Sequence, residues 1–439
     1  MVGDSVKSFC YTASYRIMAG LRQELGLEPG RHYLPKGHNA ARVMSLKLAG
    51  INPHYLTSIV GLRDQLTMWA GLDDKSRVRI GWVGTNIILE IPKPTPFWRQ
   101  VTLDTLERRR MMRRGPVVTL GLGLQDDPKR INFREGAIAH VLISGQTRSG
   151  KTNAQKLVGW NIVHNTDPAD AQLLIFDVAK RGFKWRDFGH VIHLAHPVIT
   201  SVEEADQVLA WLSNEIERRA EQRYTTPRIF CLIDELKALT DDSQLAASYL
   251  ARIASVGGEF GLHLILATQY PQVKLLGGSS ELKRNVSTRL CGRVDDAAAA
   301  ANALGLANSG AEGLQGYGDF LLKDFDGLSR LTVAKIDDHH IEKLPRAEAK
   351  YLDLPHHDLA NRGPLPAKRG GPDYLQPEEI GPVLFQWGAQ PTGINKIQTQ
   401  AGGVGSKKAR RIQRFIIDLI QLAQENGVET IEFNQLGVN

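Results

Sequence analysis

Apolar and polar positions alternate in different rhythms along this chain. Residues 1 to about 30 read as helical, from Tyr15 to Leu25, and end at Glu28-Pro29-Gly30. Arg42 to Leu48 alternates as a half-buried strand does. After Asn52-Pro53, the apolar positions Ile59, Leu62, Leu66 and Trp69 form a helical stripe from Tyr55 to Ala70. Val78 and Ile80, a turn at Trp82-Val83-Gly84-Thr85, and Ile87 to Pro92 predict a hairpin. Together these elements predict a small α+β domain over residues 1–115, with no obvious chemistry of its own.

From Pro116 to about Leu344 the rhythm changes. Short apolar runs (Leu173 to Phe176, Val191 to Leu194, Ile229 to Ile233, Leu262 to Ala267, Phe320 to Leu322) alternate with amphipathic helices. That alternation predicts an α/β domain over residues 116–350, a parallel sheet with helices on both faces. No internal repeat is visible. Prolines and glycines crowd the stretch from Asp353 to Pro372, an extended linker at 351–372. Beyond it, residues 373–439 hold two short helical stretches (Ile380 to Trp387 and Gly393 to Gln398) and a Gly-rich turn, Ala401 to Gly405. The basic segment Ser406 to Ile417 follows, and the whole reads as helix-turn-helix. On its last helix Ile412, Phe415 and Ile416 form an apolar face, while Lys407, Lys408, Arg410, Arg411 and Arg414 largely point elsewhere. These five are candidate DNA contacts; a solvated basic face is the plainer reading of the same residues.

Composition narrows this little. At 439 residues, 42% hydrophobic and 23% charged, the chain is an ordinary globular protein with room for two to three domains. A net charge of +7 suits a polyanionic partner without identifying one. The densest basic run, Glu107 to Arg114, reads first as a solvated helix face or linker, with a phosphate-backbone contact as the sharper alternative. Cys10, Cys231 and Cys291 are scattered and lack metal-ligand spacing, as in a reduced, cytoplasmic protein. No apolar run is long enough to span a membrane, and the first residues do not resemble a signal peptide.

The sharpest chemistry lies at Gly145-Gln146-Thr147-Arg148-Ser149-Gly150-Lys151-Thr152. It follows the apolar run ending at Ile143 and opens a helix-compatible stretch, Asn153 to His164. G-x-x-x-x-G-K-T between strand and helix is a phosphate-binding loop. Its glycines let backbone N–H groups turn toward phosphate oxygens, with the positive end of the helix behind them. Lys151 is placed for the β- and γ-phosphates of ATP and Thr152 for Mg²⁺. A second run, Ile229 to Ile233, ends in Asp234 and Glu235: one carboxylate for the Mg²⁺ shell, one to activate water. A third, Leu264 to Thr268, ends in Gln269, a candidate sensor of the γ-phosphate. Phosphoryl transfer commonly draws an arginine from a neighbouring subunit, and Arg252, Arg289 and Arg293 are the candidates.

Taken together, these motifs resemble the FtsK/SpoIIIE family of double-stranded DNA translocases, RecA-like ring ATPases. The likeness extends to Phe176-Asp177 with Lys180, to Asn214 through Arg219, to Gly261 through Pro271, to Lys283 through Arg289, and to Gly310 through Asp319. It also covers the N-terminal part, which looks like the family's DNA-guiding domain, and more weakly the C-terminal part, which looks like its winged helix. The resemblance implies a homohexamer around duplex DNA. It makes Lys151, Asp234, Glu235 and Gln269 catalytic and Arg289 the preferred trans-acting arginine. Three positions depart from the pattern: Arg148 and Gly258, where glycine and arginine are usual, and Tyr270, which replaces an arginine. A conjugation, secretion or packaging motor moving DNA or nucleoprotein is one rival reading. A DNA-binding regulator with ATP as a switch is another.

Overall fold

The computed structural model describes residues 2–73, 76–134, 138–269, 280–348 and 352, and the helical positions 397, 399, 409, 410, 412, 413 and 416. Residues 1–355 form one compact unit and 356–439 a second.

The chain opens with α1 (Val2–Leu25), longer than the stretch from Tyr15 that the sequence suggests. Ala13, Ile17 and Leu21 recur every fourth residue on its buried face. Gly20 lets α1 approach a neighbouring helix closely, since a Cβ there would lie 2.4 Å from the Trp69 ring. Strands β1 (Leu34–Asn39), β2 (Val43–Ala49), β3 (Arg79–Val83) and β4 (Asn86–Pro92) make an antiparallel sheet in the order β1-β2-β4-β3. β1 escapes sequence reading because it is a mostly exposed edge strand with no apolar alternation. The single helix expected from Tyr55 to Ala70 is two, α2 (Tyr55–Gly61) and α3 (Arg63–Trp69), broken at Leu62 (φ −90°, ψ 14°).

The larger part comprises α4 (Leu103–Arg108), β5 (Val117–Gly123), β6 (Pro128–Asn132), β7 (Val141–Ser144), α5 (Lys151–Asn165), β8 (Ala171–Phe176), α6 (Val202–Gln222) and β9 (Arg228–Ile233). It continues through α7 (Leu236–Asp242), α8 (Gln244–Val256), β10 (Leu262–Thr268), α9 (Ser280–Asn285), β11 (Thr288–Cys291), α10 (Ala297–Leu304), β12 (Asp319–Asp324), β13 (Gly327–Val333) and α11 (Asp338–Glu342). Val101, Leu103 and Leu106 pack into the core of this part, which therefore begins before Pro116.

Its nine strands lie in the order β6-β5-β13-β12-β11-β7-β10-β9-β8. Only β11, β7, β10, β9 and β8 run parallel; β12, β13, β5 and β6 form an antiparallel wing. The sheet is therefore mixed rather than parallel throughout, because tight turns join β5 to β6 and β12 to β13 where no helix intervenes. In the parallel half both faces are covered. Phe230 and Leu232 of β9 join the core on one side with Leu157 and Trp160 of α5; Ile229, Cys231 and Ile233 join Leu209 and Leu250 on the other. Burial on both faces is why these strands read as unbroken apolar runs.

Val191 to Leu194, expected as a strand, is a set of turns with single bridges. Leu173 of β8 bonds His193 O and Ala195 N (2.8 and 3.0 Å), so the run is apolar because it covers the sheet's outer edge.

The two sheets are joined by a buried charge cluster. Arg330 of β13 donates to both oxygens of Asp319 (2.9 and 2.7 Å) and to Glu90 of β4 (3.0 Å), whose other oxygen pairs with Arg79. The loop before β12 also bridges them. Tyr317 and Gly318 donate their N–H groups to the carbonyls of Arg148 and Ser149 (3.1 and 2.8 Å), while Arg42 donates to the carbonyls of Gly316 and Tyr317.

In the second unit Ile397, Ala409, Ile412 and Ile416 are helical and buried, and Arg410 is helical and exposed. Phe415, Lys407, Lys408, Arg411, Arg414 and the expected winged-helix arrangement lie outside the described residues.

Candidate functional site

Parallel register brings the C-terminal ends of five strands to one sheet edge. Ser144 pairs with Thr268 of β10 and Cys291 of β11, and Phe176 of β8 with Ile233 of β9. The residues that follow are therefore neighbours: Gly145, Asp177, Asp234-Glu235 and Gln269. Ligands of open α/β sheets bind in such a place.

The phosphate loop depends on backbone shapes that glycine tolerates. Gly145 has φ +143° and Gly150 φ +108°, the latter capping α5. A Cβ at Gly145 would sit 2.8 Å from Ser149 Oγ, and one at Gly150 would sit 3.1 Å from Gly318 N. Arg148 also has positive φ, +67°, which explains why a glycine is usual at this position and marks stored strain here. Lys151 Nζ folds across the loop onto the carbonyls of Gly145 and Gln146 (2.6 and 3.2 Å). Burial pulls its pKa down to about 8, against the raising pull of Glu235 and Asp234.

Beside the loop lies an open cluster of charges. Asp234, 5% exposed, faces Lys180 Nζ at 3.3 Å and Lys184 Nζ at 3.7 Å. Lys184 Nζ also donates to Thr152 Oγ1 (3.0 Å), so this ammonium lies against both groups expected to hold Mg²⁺. Burial lowers its pKa, and Lys180 adds to the effect. Asp177 accepts from Lys184 N on one oxygen (3.3 Å); its other oxygen, Oδ1, is buried without a partner among the described residues. Burial raises its pKa, with Asp234 pushing the same way.

The three motifs are joined by hydrogen bonds. Thr147 Oγ1 donates to Gln269 Oε1 (3.2 Å), Gln269 Nε2 to Glu235 Oε2 (3.0 Å), and Gln269 N to Glu235 Oε1 (3.4 Å). Glu235 sits in the left-handed region at φ +52°, a costly conformation for a side chain with a Cβ. Beneath it Gln155 of α5, fully buried, donates to Ile233 O at the end of β9 (2.9 Å) and to Ile265 O within β10 (3.4 Å), tying the two strands together. Lys184 and Gln155 belong to no motif of the sequence, and Asp177 and Lys180 fall only within a block of the family resemblance that gives them no role. A lysine seven residues past a strand-end aspartate is the faint signal that could have found Lys184.

These residues fit ATP and a divalent cation. The loop's backbone could not close as it does with a Cβ at Gly145. Asp177 Oδ1 and Ser149 Oγ are buried polar atoms without protein partners among the described residues, and Thr152 and Asp234 offer oxygens that both lie against Lys184 Nζ.

The three arginines are placed differently. Arg252 lies on α8, partly exposed, and pairs with Glu217. The Arg293 carbonyl accepts from Gln146 N (2.8 Å), while its side chain lines a cavity with Arg63, Arg77 and Arg79. Arg289 is only 7% exposed on β11, with Nε donating to Val286 O (3.2 Å), and would have to leave that position to reach another subunit. Gly258 has its own packing reason, since a Cβ there would lie 2.4 Å from Ala139 Cβ; Tyr270 lies outside the described residues.

Residues 103–226 match the FtsK/SpoIIIE family model. The chain is 28% identical over 284 residues to the DNA translocase FtsK of Chlamydia pneumoniae, covering 57% of this chain and 34% of that protein. It is 28% identical over 318 residues to the DNA translocase SftA of Bacillus subtilis, covering 66% and 32% respectively. It thus spans about a third of the length of these curated relatives. Among solved structures, the pCW3 conjugation coupling protein TcpA, in its monomer form with ATPγS, superposes with a TM-score of 0.50 at 18% identity. That likeness covers 74% of this chain and 96% of TcpA, and it speaks for the fold, a RecA-like sheet. Among the described residues no helix is long and apolar enough to cross a membrane. The family match begins at α4, where the core of the large sheet begins, and runs through the phosphate loop to α6: this segment matches the FtsK/SpoIIIE family of P-loop ATPases, and the chain is distantly similar to these translocases.

Proposed function

We propose that this protein hydrolyses ATP to move double-stranded DNA, working as a ring of identical subunits, a hexamer, with its C-terminal part as a winged helix on the DNA. The observation that carries the reading is the hydrogen-bonded series Thr147–Gln269–Glu235. It ties the phosphate loop, the water-activating carboxylate and the sensor into one unit, which a nucleotide-binding regulator would not need. Bound ATP with Mg²⁺ supplies the reactive phosphoanhydride. Lys151 neutralises phosphate charge, and Thr152 and Asp234 hold the cation. Glu235 takes a proton from the attacking water, and Gln269 shifts its hydrogen bonds when the γ-phosphate leaves.

The names of the FtsK and SftA relatives and the basic balance of the chain support DNA as the cargo. Backbone grip by the motor would make binding fall steeply with salt. Lys407, Lys408, Arg410, Arg411 and Arg414 would carry base and phosphate contacts. For the trans-acting arginine we keep Arg289, with the more exposed Arg252 as the candidate that needs no rearrangement. Assaying each alanine variant alone and mixed with a Lys151→Ala subunit separates the two: the true donor's variant is inactive alone and regains activity in the mixture, where an intact Lys151 meets an intact arginine from its neighbour.

ATPase rate with and without linear duplex, together with triplex displacement, tests the whole reading. Stimulation with displacement is expected; a duplex-insensitive rate sinks it. A conjugation motor carrying nucleoprotein is the second reading, kept in view by the fold shared with TcpA over nearly all of that protein. It predicts duplex binding without displacement by this chain alone.

A further inference from the structure

Far along the chain from the phosphate loop, α4 and α11 bring three metal-ligating side chains together. We propose that Asp104, His339 and His340 bind a divalent cation of the zinc class. Asp104 lies in the first turn of α4 and both histidines lie in α11. The segments leading into the two helices are already tied: Leu103 N donates to Lys335 O (3.0 Å) and Lys335 N to Val101 O (2.9 Å).

His340 Nε2 lies 3.1 Å from Asp104 Oδ1, and His339 Nε2 lies 4.0 Å from the same oxygen. One donor atom from each of the three residues falls within 4.8 Å of the others. Tetrahedral zinc, with bonds of about 2.0–2.2 Å, needs donors roughly 3.3 Å apart, so small side-chain adjustments close the site. A lone His340–Asp104 hydrogen bond would leave unexplained why the neighbouring ring, its centroid 3.8 Å away, turns to the same oxygen. His340 also has an outer partner. Its Nδ1 lies 3.3 Å from both the N–H and the carbonyl of Asp337; in the tautomer that donates to the carbonyl, Nε2 is free to bind metal.

The surroundings suit a structural clasp with an entry path. The His340 side chain is 4% exposed, whereas His339 and Asp104 are 48% and 49% exposed, leaving room for water as a fourth ligand. Two imidazoles with one carboxylate favour zinc-type ions over Mg²⁺ or Ca²⁺. Bound metal would fasten the helix that opens the large α/β part to the one that closes it, and would stabilise the fold by mass action. It takes no part in the proposed ATP chemistry.

The test uses the full chain, stripped with a chelator and free of nucleotide. ZnCl₂ is titrated while the thermal midpoint is followed, and CoCl₂ while the visible spectrum is followed. Wild type is expected to gain several degrees and the strong absorption of tetrahedral Co²⁺, with no shift from an equal amount of MgCl₂. His339→Ala and Asp104→Asn, both at half-exposed positions, keep the metal-free midpoint and bind at least about tenfold more weakly. A wild type with neither band nor shift overturns the site. So does a His339→Ala protein that retains both at unchanged affinity, since the metal would then sit on other side chains.

Discussion

Two charge clusters in this molecule are built from similar parts and end in opposite states. Around Arg330, four charged groups close on one another: each Arg330 nitrogen has a carboxylate oxygen, and Glu90 is shared with Arg79. Around Asp234, two lysines lean toward one carboxylate, a hydroxyl accepts from one of them, and Asp177 keeps a buried oxygen without a partner among the described residues. A satisfied cluster has nothing to offer a ligand and serves to fix geometry. An under-satisfied one holds its charges ready to exchange partners. The contrast teaches where to look for chemistry in a fold rich in buried charge: at the cluster whose bonds do not add up.

The largest expected effect tests the open cluster. Glu235→Gln preserves size and can still bond Gln269, yet removes the base; turnover is expected to fall about 10²–10⁴-fold with ATP binding retained. A variant that still turns over ATP normally in a steady-state assay would falsify the assignment. Next comes the closed cluster. Arg330→Met leaves Asp319 buried without its cation, and Glu90 with Arg79 alone, and should cost about 3–5 kcal/mol, read from the denaturant midpoint. The catalytic variant should leave that midpoint nearly unchanged.

A third measurement sharpens the difference by looking away from both clusters. His140 and His263 are buried near the starts of the parallel strands, where burial lowers their pKa values to about 4 and about 3. The folded state therefore binds fewer protons than the unfolded one at pH values below the usual histidine value of about 6.5. Stability is full above that pH and is lost as pH falls toward 4 and then 3. His140→Asn, which keeps an acceptor for Leu264 N, should flatten this acid limb in urea titrations at stepped pH. The smallest effect belongs to Lys184, whose ammonium competes with a cation for Thr152 and Asp234. Lys184→Met should lower by a few-fold the Mg²⁺ concentration needed for half-maximal hydrolysis. An unchanged or higher requirement would make Lys184 a ligand-holding residue instead.

How much of this could be read from the residues follows from where the physics is local. β7, β9 and β10 were legible because burial on both faces forces unbroken apolar runs, and the phosphate loop because its glycines sit at fixed offsets. The placing of Asp234, Glu235 and Gln269 beside the phosphate loop follows from their ending such runs. β1 was not, since an exposed edge strand carries no apolar rhythm. Val191 to Leu194 misled because covering a sheet edge and lying within a sheet select the same side chains. The break at Leu62 leaves the helical stripe intact and so is silent in the pattern. Arg330 and Glu90 are 240 positions apart, and nothing in either neighbourhood announces the pairing. Gln155 and Lys184 matter through what the fold sets beside them.

The short bridge from Gly316 to Gly318 gives the small antiparallel sheet a hold on the phosphate loop. Its amides grip Arg148 and Ser149 from one side and its carbonyls hold Arg42 on the other. Tyr317, at φ +50°, is bent away from a relaxed backbone. The bridge thus gives the phosphate loop and the segment leading into β2 a shared set of hydrogen bonds. On the proposed function, phosphate at the loop and whatever binds the N-terminal sheet are then expected to alter each other's affinity.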